Sequence, residues 1–250
     1  MSESPKESGG SGEKQKLFPP TRWTLVLRTL DSEEEHDALS ELCRIYWSPV
    51  YFFLRSRGNS PSDAEDLTQG FFQQVLAKEQ LQQAAKNTGA GKLRTFLLTS
   101  LRNYTINQYH HETAQKRGGG FERVHVDPDE LERRFSSASA SGKTPDEMFD
   151  LQWANSLLER TFERLRKEYA DAEKEKDFEV LRSTLGQSSE QVPFSVLASQ
   201  LDRSEGSIRV AAFRLRKQFR ALLKDEIRES SASEDDWEEE LAYLKSILGG

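Results

Sequence analysis

The sequence predicts an all-α protein built from two small helical domains joined by a flexible linker. Three observations predict it. Apolar residues recur at intervals of three and four in one segment after another, the period of a helix with one buried face, and no segment shows the alternation of a strand. A Gly- and Ser-rich interval separates two such groups of segments. Hydrophobic residues make up 35% and charged residues 31% of the 250, which suits two compact helical units better than one large buried core.

Residues 1–18 read as a disordered leader, polar and Gly/Ser-rich, without the apolar stretch of a secretory signal. Pro19-Pro20 closes it, and Thr21 is placed to cap a helix carrying Trp23, Val26, Leu27 and Leu30 on one face. The next pattern, His36 to Arg57, has Leu39, Leu42, Cys43, Tyr46, Val50, Phe53 and Leu54 in register, with Pro49 inside it to kink or divide the helix. Gly58 to Pro61 is a turn. Ser62 with Glu65 three residues later reads as a capping box for a helix from Asp63 to Ala77. Thr88 to Gly91 breaks the chain. A further helix runs from Lys92 to about Gln115 on Leu93, Phe96, Leu97, Leu101, Tyr104 and Ile106, and the three glycines at 118–120 end it.

Residues 118–145 read as the linker, with a short element near Glu130 to Phe135. Beyond Thr144-Pro145 come a long amphipathic helix over 146–174 and a shorter one from Phe178. Then come a helix over Phe194 to Leu201 and another from Glu205 to about Arg228. The predicted boundaries are therefore a domain over 19–117 and a second over 146–230.

The sharpest pattern is local. Over Phe194 to Lys217, Val196, Leu197 and Leu201 face inward on a first helix, and Ala198 is small where two helices cross. Asp202-Arg203-Ser204 forms a turn, Ser204 caps the next helix, and Ile208, Ala212 and Leu215 point that helix inward. This is the arrangement of a helix-turn-helix, whose second helix enters the DNA major groove. Glu205, Ser207, Arg209 and Val210 face out, with Arg214 a turn beyond. Arg216, Lys217 and Arg220 extend the positive surface toward phosphates. The net charge of −7 hides this segregation: the basic stretch 202–224 adjoins an acidic one, 225–250. The acidic amphipathic tail from Ser231, with Glu238 to Glu240, Trp237, Leu241, Leu244 and Leu248, has three readings. It masks the basic helix, docks on a partner, or stays solvated.

Three segments resemble bacterial RNA polymerase sigma factors. Asp63-Ala64-Glu65-Asp66-Leu67-Thr68-Gln69-Gly70-Phe71-Phe72 is similar to the family helix that grips the clamp helices of the polymerase β′ subunit. Leu93 to Asn103 resembles the helix that opens the promoter and engages its downstream element. Phe194 to Lys217, above all Ser204 to Arg209, resembles the region that reads the upstream element. The resemblance covers roughly 20–117 and 146–228. It lacks the intermediate domain of larger members, as in the extracytoplasmic-function subfamily. It implies a region 2-like bundle and a region 4-like helix-turn-helix, with core RNA polymerase (β′ clamp helices and β flap) and promoter DNA as partners. It also leaves room for an anti-sigma factor or other regulator.

The residues implied for polymerase binding are Asp63, Glu65, Asp66, Gln69 and Phe72. Those for the downstream element are Arg102, Asn103, Tyr104, Asn107, His110, Lys116 and Arg117, with Tyr109 and His111 nearby. Those for the upstream element are Ser204, Glu205, Ser207, Arg209, Val210, Arg214, Arg216 and Lys217. The chain departs from the family pattern in two places. Asn107 and His110 stand where Asp and Arg are usual, and Val210, Ala211 and Phe213 stand where polar or basic residues are common.

No enzyme motif is apparent, and no cofactor is expected. His110 and His111 are adjacent and point apart on a helix, a poor metal site. The Gly118–Gly120 run lacks the lysine of a phosphate loop. The single Cys43 lies at an apolar helix position and reads as a structural thiol. With no membrane span in the sequence, a cytoplasmic protein is expected. Two alternatives remain: a helix-turn-helix regulator that is no polymerase subunit, and a degenerate relative acting through protein contacts.

Overall fold

The computed structural model describes residues 35–77, 93–111, 127–140, 142–186, 192–230 and 236–249. The leader, the helix expected from Arg22, the break at 88–91, the glycine run, Lys116 and Arg117 lie outside these residues. So do the side chains of Tyr109, His110 and His111.

Among the described residues the fold is all-α, with no strand. The helices are α1 (Glu35–Ser56), α2 (Pro61–Val75), α3 (Leu93–His111), α4 (Pro128–Ser139), α5 (Pro145–Asp171), α6 (Glu175–Leu181), α7 (Phe194–Leu201), α8 (Glu205–Ser230) and α9 (Asp236–Leu248). A 3₁₀ turn, Arg182–Thr184, extends α6. None of these helices is long and apolar enough to cross a membrane.

Helix α1 is the centre of the first core. From Val50 to Leu54 it is buried at every position, as are Ile45, Tyr46 and Trp47 before them. A helix buried on all faces needs neighbours all round, and α2, α4 and α5 supply them. Pro49 sits inside α1 without dividing it. The missing N–H and the clash with the preceding turn cost about 3 kcal/mol, and burial of the flanking aromatic residues offsets that.

Helix α2 starts two residues earlier than the capping-box reading placed it. Ser60, not Ser62, is the N-cap, its Oγ accepting from the Asp63 N–H. Pro61 takes the first helical position, where an absent N–H costs nothing. The capping box expected near α2 occurs instead at α5, between Thr144 and Glu147.

The interval 118–145 contains a folded helix, α4. Asp127 caps it, Leu131 is buried in the first core, and Phe135 meets Phe52 edge-on at 5.5 Å. Glu132 receives Arg55 Nε at 2.7 Å and Nη2 at 2.8 Å, and the Tyr51 hydroxyl at 2.6 Å. Arg55 hydrogen-bonded to the Glu132 carboxyl holds it below the usual range.

Two cores are present, and the division between them falls inside helices. The first half of α5 places Met148, Phe149, Trp153 and Leu157 in the first core. Its second half places Leu165 in the other, with Phe178, Leu181, Leu197, Ala198, Ile208, Ala212, Leu215 and Leu222. Helix α8 likewise sends Ile227 back to the first core. Between them, Glu226 is fully buried and receives Arg160 at 2.8 Å and Arg164 at 2.7 Å, joining α5 to α8.

The acidic C-terminal stretch is a packed helix rather than a solvated or masking tail. Leu244 and Glu240 of α9 are buried, and Trp237, Leu241, Tyr243 and Ile247 lie against the first core. Trp237 also lies under the Lys224 ammonium, at 3.8 Å from the ring centre.

Candidate nucleic-acid interface

The second core leaves the outer side of α8 in solvent. Helix α7 is short and packs through Leu197 and Ala198. Val196, expected inward, is largely exposed, because one residue away from the Leu197 stripe is a rotation of about 100°. Ala198 is buried where the two helices approach, as its size requires. Asp202 ends α7 in the left-handed conformation (φ 51°, ψ 50°), which Asp tolerates better than most residues. The Arg203 N–H then donates to the Ala198 carbonyl at 3.0 Å. The Arg203 side chain pairs with Asp177 at 2.7 Å, fastening the turn to α6. Ser204 Oγ accepts from the Ser207 N–H at 3.3 Å, capping α8.

Ile208, Ala212 and Leu215 are fully buried, as their spacing predicts. Glu205, Gly206, Ser207, Arg209, Val210, Phe213, Arg214 and Lys217 are all exposed, and Arg216 is half-buried. Arg209 is held in place, paired with Glu205 at 3.5 Å and lying over the Phe194 ring at 4.7 Å. Arg214, Arg216, Lys217 and Arg220 make no ion pair with any described residue. A row of cations without internal carboxylates on an exposed helix suits a polyanion.

Helix α2 has the opposite character. Its buried stripe is Ala64, Thr68, Phe71, Phe72 and Val75. Asp63, Glu65 and Asp66 are exposed and Gln69 is half-exposed. Asp63 is hydrogen-bonded by the Ser60 hydroxyl at 2.7 Å, while Glu65 and Asp66 make no ion pair with any described residue. Phe72 is a correction. It is 2% exposed and stacks on Trp47 at 5.9 Å, so it belongs to the core and offers nothing to a partner. Its spacing of eight from Ala64 already put it on the inner stripe.

Helix α3 yields a second correction and a rearrangement. Tyr104 is buried, edge-on to Phe71 at 5.7 Å. Its hydroxyl lies over Gly70, where an added Cβ would stand 2.6 Å away. It is a packing residue of the α2–α3 contact rather than a stacking platform for bases. Ile106, read as an inward position, is instead exposed, and shares an outer face with Arg102, Asn103 and Asn107. Arg102 is not free on that face. It makes a two-point pair with Asp146 at the start of α5, at 2.8 and 3.0 Å.

Arg94, about two turns earlier, was not among the candidate site residues, yet it is the most heavily engaged cation of α3 among the described residues. It meets Asp150 at 2.7 Å and Glu240 at 3.3 Å. Its guanidinium lies over the Tyr243 ring at 4.3 Å and the Trp153 ring at 5.2 Å. The Tyr243 hydroxyl donates to the other Asp150 oxygen. Burial, reinforced by that bond, pushes the Tyr243 phenol up to about 12. Nothing local in the sequence signals a cluster whose members lie on α3, α5 and α9.

No family model, curated protein or solved structure matches this chain.

Cys43 is buried. Burial pushes its thiol up to about 12, so it stays protonated and unreactive at neutral pH.

Proposed function

We propose that this chain is a sigma factor that binds core RNA polymerase and directs promoter recognition and transcription initiation. The observation that carries the reading is the outer face of α8. It follows a three-residue turn, and its cations Arg214, Arg216, Lys217 and Arg220 have no carboxylate partner among the described residues. In this reading Ser204, Glu205, Ser207, Arg209 and Val210 approach base edges of the upstream element, and the cations beyond them contact phosphates. Asp63, Glu65, Asp66 and Gln69 form the acidic contact with the polymerase clamp. Asn103 and Asn107 remain the open polar positions of α3 for the downstream element. The protein works in the cytoplasm with promoter DNA and polymerase as its partners, without cofactor or catalytic residue of its own.

One observation favours a second reading, a helix-turn-helix regulator that is not a polymerase subunit. Arg102, expected at the downstream element, is tied to Asp146, and Tyr104 and Phe72 are buried. That leaves the first core fewer open contacts than the sigma reading asks of it.

Transcription in vitro with purified core polymerase and a genomic promoter library separates the two. The sigma reading expects specific transcripts with the wild type and their loss with Asp63→Arg/Asp66→Arg. Absence of transcripts, with sequence-selective DNA binding retained, supports the regulator instead.

A further inference from the structure

The outer face of α8 is not uniformly polar. Phe213 is 61% exposed and Val210 50%, and Phe213 is the most exposed large apolar side chain among the described residues. Val210, Phe213 and Lys217 follow one another at intervals of three and four, so they form one row along the helix. Gly206 heads that row, four residues before Val210. A Cβ built there meets nothing within 4 Å, so no internal packing calls for glycine. Gly206 is the second residue of α8, and glycine there leaves the helix start without a side chain to hold its backbone away from a ligand.

The neighbours of the row decide what it touches. Arg214 and Arg220 are exposed beside it and Lys217 within it, all without ion-pair partners among the described residues, and Arg209 is held at its edge by Glu205 and Phe194. A second copy of the same face is disfavoured, because it would bring these cations against their own kind. A polyanion is favoured, provided it offers apolar groups between its charges. The major groove of DNA does so: phosphates line both rims, and the floor displays the 5-methyl group of each thymine.

We propose that Val210 and Phe213 read thymine methyl groups in the major groove, making α8 selective for thymine-containing upstream elements. Gly206 admits the start of the helix to the groove, and the flanking cations hold the rims. The inference rests on the DNA-binding part of the proposed function and specifies the bases that α8 selects.

The test begins with selection of duplexes from a random-sequence DNA pool by the full chain, with and without core polymerase. Each thymine of an enriched duplex is then replaced singly by deoxyuridine, which removes only the methyl group, and affinity is measured by fluorescence anisotropy. The expected result is a loss of about fourfold at one or two positions, the worth of one buried methyl. Val210→Ala or Phe213→Ala should weaken binding to the thymine duplex and abolish the difference between thymine and uracil at one of those positions. Both side chains are exposed, so the variants should keep the wild-type helical content and melting temperature. Equal affinity for thymine and uracil at every position overturns the inference and leaves DNA binding standing. So does a methyl dependence that both variants retain. A pool without enrichment overturns this inference together with the DNA-binding reading.

Discussion

Helices α3 and α8 both carry arginines on amphipathic frames, yet the two sets have opposite surroundings. Arg94 and Arg102 of α3 are held by Asp150, Glu240 and Asp146 from α5 and α9. Arg214, Arg216 and Arg220 of α8 have no carboxylate within the described residues. The difference lies in what surrounds them. Helix α3 lies where the chain folds back on itself, so its cations meet acidic side chains from distant segments. The first half of α8 stands at the edge of the second core with solvent on its outer side. Arg94 is paired and buried and Arg102 is paired at the surface, whereas Arg214 and Arg220 are exposed and open, the state that the proposed DNA contact requires.

Deletion of residues 231–250 should have the largest effect. It removes the apolar face of α9, takes Glu240 and the Tyr243 ring from Arg94, and takes the Tyr243 hydroxyl from Asp150. With about 1.5–3 kcal/mol for each large apolar side chain fully buried, urea denaturation should show a loss of about 5 kcal/mol or more. A tail that merely masked α8 would instead raise DNA affinity on deletion and leave stability unchanged.

Arg94→Met should come next. It removes the shared cation from two buried carboxylates, Asp150 and Glu240, and breaking such a group costs about 3–5 kcal/mol, read as a shifted urea midpoint at constant slope. If Arg94→Met left stability intact and abolished promoter opening, the contrast between the helices would collapse.

The α2–α3 contact gives a smaller, reversible effect. Gly70→Ala should cost about 1–3 kcal/mol through overpacking against the Tyr104 hydroxyl. Tyr104→Phe in the same chain should restore most of it, because the ring carbon bearing the hydroxyl is 3.7 Å from that Cβ. Failure of the rescue would mean that Tyr104 is not what crowds the site.

The smallest effects belong to exposed pairs. Arg102→Ala should change stability by about 0.2–1 kcal/mol, since both partners are substantially exposed. Glu132 supplies a pH signature. Arg55 and Tyr51 keep its carboxyl below the usual range, so its contribution is present above the ordinary carboxylate pKa. It is lost as pH falls through the lowered value. Acid titration of wild type and Glu132→Gln should therefore differ at neutral pH and converge in acid.

The helix-turn-helix was legible in the sequence because its determinants are local: Leu197 and Ala198, the Asp202 turn, the Ser204 cap and the Ile208, Ala212, Leu215 stripe. The Thr144 cap is equally local, but Thr144-Pro145 was read only as the opening of the second domain. Phe72 and Tyr104 were misplaced by weighting a motif above the period that put both on inner stripes. The start of α2 was misread by passing over Pro61, whose preference for the first helical position points to Ser60. What the sequence could not show is long-range. The pairs Arg55 with Glu132, Arg94 with Glu240 and Arg160 with Glu226 join residues far apart in the chain. Without them α4 looked like part of a linker and α9 like a tail.

The salt dependence of DNA binding tests the contrast between α3 and α8 most directly. Affinity for a selected duplex would be measured between 50 and 200 mM salt, on the order used to resolve phosphate contacts, for wild type, Arg214→Ala, Lys217→Ala and Arg102→Ala. The two α8 variants should each lower the slope of log affinity against log salt by about 0.9, with unfolding free energies within about 0.5 kcal/mol of wild type. Arg102→Ala should leave the slope unchanged. A slope that falls with Arg102→Ala and stays constant with Arg214→Ala and Lys217→Ala would contradict the account.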